Sequence, residues 1–225
     1  MISVLLPTYN GEKFISDSVD SVLSQTFRDI ELLIGINGPK DKTEAVLEKI
    51  NDERLSILHL SNEPMGVSKT LNDLLSLCKY DYIAIQDDDD IWMKDKLEKQ
   101  IPLLEKNDVV GTQISYIDEE GRTPAAFGYG PRLCASHEDI CKLMKIGQNQ
   151  MANSSSIISK RRIEDNNGWD PQYPGYEDMD MWLKLISKDC RFCNLNEILV
   201  QHRVYPQSRF NAKEWDMGDL LNKYK

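Results

Sequence analysis

The sequence predicts an α/β fold in which a Rossmann-like βαβ half is joined to a less regular half through a mixed central sheet. Three observations predict it. Short apolar runs alternate with helix-period segments through the first hundred residues, as parallel strands and crossover helices do. Polar loops follow three of the apolar runs directly, at 7–12, 37–41 and 87–90. The chain has 225 residues, 40% hydrophobic and 28% charged, with nine prolines and twelve glycines spread along it. That is the composition of one ordered, medium-sized domain and not of a disordered or low-complexity chain.

Each element has its own reason. Strands are expected at 2–6, 30–36, 55–60 and 82–86, where apolar and β-branched residues run together. Ile15, Val19, Val22 and Leu23 form one helical stripe between them, and Leu71, Leu74, Leu75 and Cys78 form another. Asp41, with Glu44 three residues on, opens a helix carrying Val46, Leu47 and Ile50 in the manner of a capping box. A further helix is expected to start near Ile91, with Asp90 as its cap. In the second half we expect a strand at 109–117, a turn at 118–122, a Gly/Pro-bearing loop at 123–135 and a helix capped by Ser136 and Asp139 through Ile146. A strand at 155–159 and a helix at 177–187 follow. Residues 1–208 read as a single domain with halves 1–108 and 109–208, and 209–225 as a C-terminal tail.

The formal net charge of -10 opposes a phosphate-backbone partner, so nucleic acid is excluded. Lys160, Arg161 and Arg162 make the one compact basic run, read as a solvated helix start. No apolar stretch approaches the roughly 20 residues that span a bilayer, and residues 1–6 read as a strand and not a leader, which places the protein in the cytoplasm. Arg209, Phe210, Trp215, Leu220 and Leu221 suit a short amphipathic tail at the cytoplasmic face of a membrane, or ordinary packing. Five cysteines, an odd number, suggest free thiols. Cys190 and Cys193 lack partners for a zinc site and read as small buried residues on a strand.

Ligands of open parallel sheets bind outside the carboxyl ends of the strands. Pro7 to Glu12, Asn37 to Asp41 and Asp87 to Asp90 lie at such ends, and together they read as a nucleotide pocket. Four consecutive aspartates repel one another unless a cation offsets their charge. One suffices to cap a helix, so a divalent metal accounts for the set. An EF-hand fails on Ile91 and Trp92, which stand where a ligand and a glycine are required; magnesium or manganese shared with a diphosphate fits. Asp178 shares a helical face with Trp182 and Leu185 and points inward, whereas Glu177, Asp180 and Lys184 share a polar face. Asp178 is then either a helix cap or a general base.

These stretches resemble glycosyltransferase family 2, an inverting family of GT-A fold, from Ile2 to about Ser208. The resemblance lies in Ser3-Val4-Leu5-Leu6-Pro7-Thr8-Tyr9-Asn10-Gly11-Glu12, Ser21 to Phe27, Gly66 with Asn72, Asp87-Asp88-Asp89-Asp90-Ile91-Trp92, and Asn167-Gly168-Trp169-Asp170 leading to Glu177-Asp178. It implies that Pro7, Tyr9, Asn10 and Glu12 line the base and ribose pocket, with Asn37 and Asp41 nearby. Asp87 and Asp88 contact the donor, Asp89 holds Mn2+ or Mg2+, Asp178 is the base, and Trp169 and Glu177 stand by the acceptor. Two stretches depart from the family. Ile36-Asn37 replaces a common pair of aspartates, and His202-Arg203-Val204-Tyr205 replaces Tyr-Arg-x-His, leaving His202 to substitute as a metal ligand. The implied activity is metal-dependent, inverting transfer from a nucleotide sugar, UDP-linked, to a glycan or lipid-linked acceptor, as in cell-surface polysaccharide synthesis. A nucleotidyltransferase is disfavoured because 7–12 holds a single glycine. A sugar-binding module without catalysis is disfavoured by the intact Asp87, Asp89 and Asp178.

Overall fold

The computed structural model describes residues 1–206 and 217–224. In chain order the elements are β1 (Ile2–Thr8), α1 (Ile15–Leu23), β2 (Ile30–Asn37), α2 (Lys42–Leu47), β3 (Leu55–Ser61), α3 (Val67–Leu77) and β4 (Tyr82–Ile85). There follow β5 (Ile91–Trp92), α4 (Lys96–Gln100), β6 (Val109–Ile117), α5 (His137–Met144), β7 (Ile157–Ser159), α6 (Lys160–Glu164), α7 (Glu177–Ile186), β8 (Phe192–Arg203) and α8 (Gly218–Lys223). They form one mixed sheet in the order β3-β2-β1-β4-β7-β6-β8-β5. β1 to β4 run parallel. β7 is antiparallel to both β4 and β6, and so stitches the two expected halves into one sheet.

Strand alternation explains the core. Leu5, Leu33, Ile83 and Ile158 point to one face and pack with α3, α5 and α7, while Val4, Leu6, Leu32, Ile34 and Ile157 point to the other and pack with α1, α2 and α4. Each such side chain contributes about 1.5–3 kcal/mol when removed from water. β1 and β2 are buried on both faces, which is why they read in sequence as continuous apolar runs. The capping residues expected at Asp41 and Ser136 are in place, accepting from the backbone nitrogens of Thr43 at 2.8 Å and Asp139 at 3.2 Å. The basic run at Lys160 opens α6.

Two expectations fail. Ile91 starts a short strand antiparallel to β8 instead of a helix, and the helix begins only at Lys96. β8, expected as strand only around Cys193, is the longest strand described. Its pairing with β6 jumps from Thr112 opposite Leu195 to Gln113 opposite Ile198. The bulge pushes Asn196 and Glu197 outward and destroys the alternation by which a strand is recognised.

The polar face expected on α7 is also wrong at Asp180, which is fully buried. Its carboxylate accepts from Lys223 Nζ at 2.9 Å and Tyr224 Oη at 2.7 Å, and lies 3.4 Å from Lys184 Nζ. Lys223 also reaches Asp170 at 3.1 Å. The end of the chain thus folds back as α8 and covers α7, with Leu220 buried in the core. Of the five tail residues read as amphipathic, Arg209, Phe210 and Trp215 lie outside the described residues.

Candidate active site

Because β2, β1 and β4 are adjacent and parallel, their carboxyl ends open onto one edge, and the three polar loops meet there. Thr8 closes β1 and donates its hydroxyl to Asp88 Oδ2 at 2.5 Å. A Cβ on Gly11 would lie 2.3 Å from Thr8 Oγ1 and 2.7 Å from Asp88 Oδ2, so a glycine is required for the first loop to reach the aspartates. The Tyr9 ring covers Gly38 so closely that a Cβ there would sit 2.6 Å from it. This joins the loops after β1 and β2. Tyr9, Asn10 and Glu12 face solvent, Asn10 with a left-handed φ of 55°, while Pro7 is buried in β1 opposite Gly35. Asn37 is buried, and its Oδ1 accepts from Met65 N at 2.6 Å. Asp41 spends its carboxylate on capping α2, with a second bond from Thr43 Oγ1 at 3.0 Å.

The four aspartates after β4 have separate duties. Asp87 Oδ1 accepts from Asn153 Nδ2 at 2.9 Å. Asp88 is held by Thr8, and the Asp89 carboxylate hydrogen-bonds Tyr205 while its carbonyl accepts from Arg203 Nε at 2.9 Å. Burial, and then the neighbouring negative charges, push the carboxyls of Asp87 and Asp89 well above their ordinary range. Burial raises Asp88 too, against the Thr8 hydrogen bond. Asp90 is not a helix cap: it is fully buried and bonded by Ser154 Oγ, by Arg203 N at 2.9 Å and by His202 Nδ1 at 3.0 Å. It fastens β8 to the end of β4. His202 is held in its charged form by Asp90 in spite of burial.

These residues suit a hard divalent cation. The carboxyls of Asp87 and Asp89 are crowded and desolvated, and Asn153 Oδ1 beside Asp87 is buried with no partner among the described residues. Oxygen donors of this kind favour magnesium or manganese. No group of three His, Cys, Asp or Glu side chains forms a ready cage among the described residues.

Asp178 stands in the first turn of α7, with Trp182 and Leu185 buried on its face as expected. Asn149 Nδ2 donates to its Oδ2 at 2.9 Å and Met179 N to its Oδ1 at 2.6 Å. Burial, followed by the charge of Glu177, raises its pKa to about 6, suited to taking a proton near neutrality. Glu177 itself accepts from Gly175 N at 2.5 Å. Trp169, expected by the acceptor, is instead 1% exposed, with Asn72 bonded to its main chain on both sides at 2.9 and 2.8 Å. Its ring is core. Gly168 is required beside it, since a Cβ there would lie 2.2 Å from Asn72 Oδ1. Sequence reading missed Asn149, Asn153, Arg203 and Tyr205; the first two lie in an irregular polar stretch, where neither period nor cap marks them.

The family model described as glycosyl transferase family 2 matches residues 3–167. The chain is 32% identical over 221 residues to the O-antigen biosynthesis glycosyltransferase WbnJ of Escherichia coli, covering 92% of this chain and 81% of that one. It is 28% identical over 209 residues to the E. coli UDP-Glc:alpha-D-GlcNAc-diphosphoundecaprenol beta-1,3-glucosyltransferase WfaP, covering 92% and 79%. Among solved structures, S. aureus TarS in complex with UDP-GlcNAc superposes with a TM-score of 0.77 at 18% identity. The match covers 97% of this chain and 63% of that one, so the fold is shared over somewhat less than two thirds of the larger chain.

Proposed function

This chain belongs to glycosyl transferase family 2, and from that premise we propose that it is a metal-dependent, inverting enzyme acting on a UDP-sugar and a glycan or lipid-linked acceptor. That it is a glycosyltransferase of GT-A fold follows from the family and its relatives. The observation that carries the finer reading is the crowding of the half-buried Asp87, Asp88 and Asp89 where the nucleotide loops meet. Uridine is supported by the nucleotide in the names of WfaP and of the TarS complex, and a lipid-linked acceptor by the diphosphoundecaprenol in the former. Among the described residues no helix is long and apolar enough to cross a membrane; we place the enzyme at the cytoplasmic face of one, where such acceptors are met.

In this reading Tyr9, Asn10, Glu12 and Asn37, with Pro7 and Asp41 behind them, line the uridine pocket, and Asp87 and Asp88 hold the sugar and ribose. Asp89, with His202, would hold the ion, whose positive charge offsets the negative charge gathering on the departing diphosphate. Asp178 takes the proton of the acceptor hydroxyl as that oxygen bonds to the anomeric carbon and the bond to the diphosphate oxygen breaks on the opposite side. Glu177 flanks the acceptor. One displacement inverts the carbon, so an α-linked donor yields a β-linked product. His202 must give up its proton to bind metal, which makes metal binding favoured by rising pH.

UDP release from UDP-glucose, UDP-GlcNAc and UDP-galactose with manganese tests this directly, with product configuration read by NMR. Activity is expected to vanish in excess EDTA and in Asp89→Ala, which should stay folded. Full turnover in EDTA removes the metal from the reading, and a retained anomeric configuration removes the single displacement.

A further inference from the structure

Asn149, in a loop, and Asn153, at the start of a short 3-10 turn over Asn153–Ser155, each hold a different carboxylate of the site. Asn149 Oδ1 accepts from Met151 N at 3.0 Å, which fixes the amide so that its nitrogen faces Asp178 Oδ2 at 2.9 Å. With Met179 N on the other oxygen, both oxygens of Asp178 are pinned by donors of fixed direction. At the far end Asn153 Nδ2 meets Asp87 Oδ1 at 2.9 Å. The chain between cannot slide. Met151 is fully buried and its carbonyl accepts from Trp182 Nε1 of α7 at 3.2 Å, while Ser154 O accepts from Trp92 Nε1 at 2.7 Å beside the aspartate loop. Gln150 Oε1 takes Cys134 N at 3.0 Å.

We propose that residues 149–153 form a rigid strap that sets the base against the donor aspartates, with Asn149 as the positioning residue for Asp178 and Asn153 for Asp87. This rests on the reading of Asp178 as general base. The strap gives Asp178 one rotamer and one free direction for the incoming hydroxyl, the preorganisation on which proton transfer depends. Asn149 is exposed, so truncating it costs little packing, and a loss of function there is not a loss of fold.

Carboxyl 13C NMR of the whole protein provides a test that needs no substrate, the Asp178 resonance being assigned by its loss in Asp178→Asn. Removing a hydrogen bond to the charged form raises a carboxyl pKa, so Asn149→Ala should move the Asp178 midpoint upward by about one unit, leave the melting temperature at pH 4 nearly unchanged and lower it at pH 7, where the carboxylate is ionised. In UDP-glucose turnover with manganese, the same variant should lose about tenfold in kcat with little change in donor KM. Asn153→Ala should raise donor KM and leave the Asp178 midpoint in place, and Asn149→Ser should recover part of the loss. An unmoved midpoint in Asn149→Ala, or one moved equally by Asn153→Ala, overturns the strap. If the midpoint moves but Asp178→Asn keeps its turnover, the strap stands and the base assignment falls.

Discussion

Asp178 is held in a place that disfavours its own charge. Burial and Glu177 raise its pKa to about 6, so the folded protein binds that proton more tightly than the unfolded chain does. The sign follows: the ionised carboxylate costs stability above pH 6, and the cost fades as the pH falls toward the ordinary carboxylate value, where both states are protonated. Asp178→Asn should therefore melt higher than the native protein at pH 7, with the difference shrinking by pH 4, while losing about 10²–10⁴-fold in kcat. Calorimetry at the two pH values and a turnover assay check both halves. Native kcat should rise with pH through about 6 and level off above it. A native kcat flat from pH 5 to 8 would separate this group from the proton transfer. The carboxylates were legible in the sequence because clustered like charge has few structural excuses. Asn149, Asn153 and Tyr205 were not, because a neutral side chain acquires its role only from what the fold sets beside it.

At the scale of elements, what the sequence showed was periodicity, and what it hid was interruption. β1 to β4 and α1 to α3 keep their periods and were readable. β8 was not, since its bulge opposite Thr112 and Gln113 breaks the alternation, and β5 is a two-residue strand that exists only because β8 lies beside it. Asp180 misled for a related reason: one turn of helix cannot reveal that a later helix will cover it. α8 covers it through Lys223, whose charge is held on, against burial, by Asp180 and Asp170. Breaking a buried ion pair from one side costs about 3–5 kcal/mol in full burial, and less where one partner keeps some solvent or the remaining charge keeps other partners, as Asp180 keeps Lys184 and Tyr224. Lys223 does keep some. Lys223→Met should accordingly lower the melting temperature by about 4–8 °C, and adding Asp180→Asn should restore part of it, because the stranded charge is then gone. Losses that simply add in the double variant would show that α8 is held by Leu220 and its apolar neighbours instead.

Across the whole molecule, the expected division at residues 108 and 109 marks a change in sequence texture. The sheet runs straight through it. β4 and β7 pair from opposite sides of the boundary, Asp87 is bonded to Asn153 and Asp90 to His202 across it, and one apolar cluster contains Ile83 together with Trp182. Neither half can unfold without stripping the other's core, so the protein should melt in one cooperative transition. A ligand at the seam then stabilises both halves at once. UDP with manganese at about a hundred times its dissociation constant should add about 2.7 kcal/mol to the native state and shift that single transition upward without splitting it. Asp89→Ala should melt as one transition as well and, if Asp89 holds the ion as proposed, respond to UDP equally with and without manganese. Scanning calorimetry decides the matter: two resolved transitions, only one of them moved by UDP and manganese, would mean that the halves are separate folding units, and the nucleotide would then belong to the half whose transition moves.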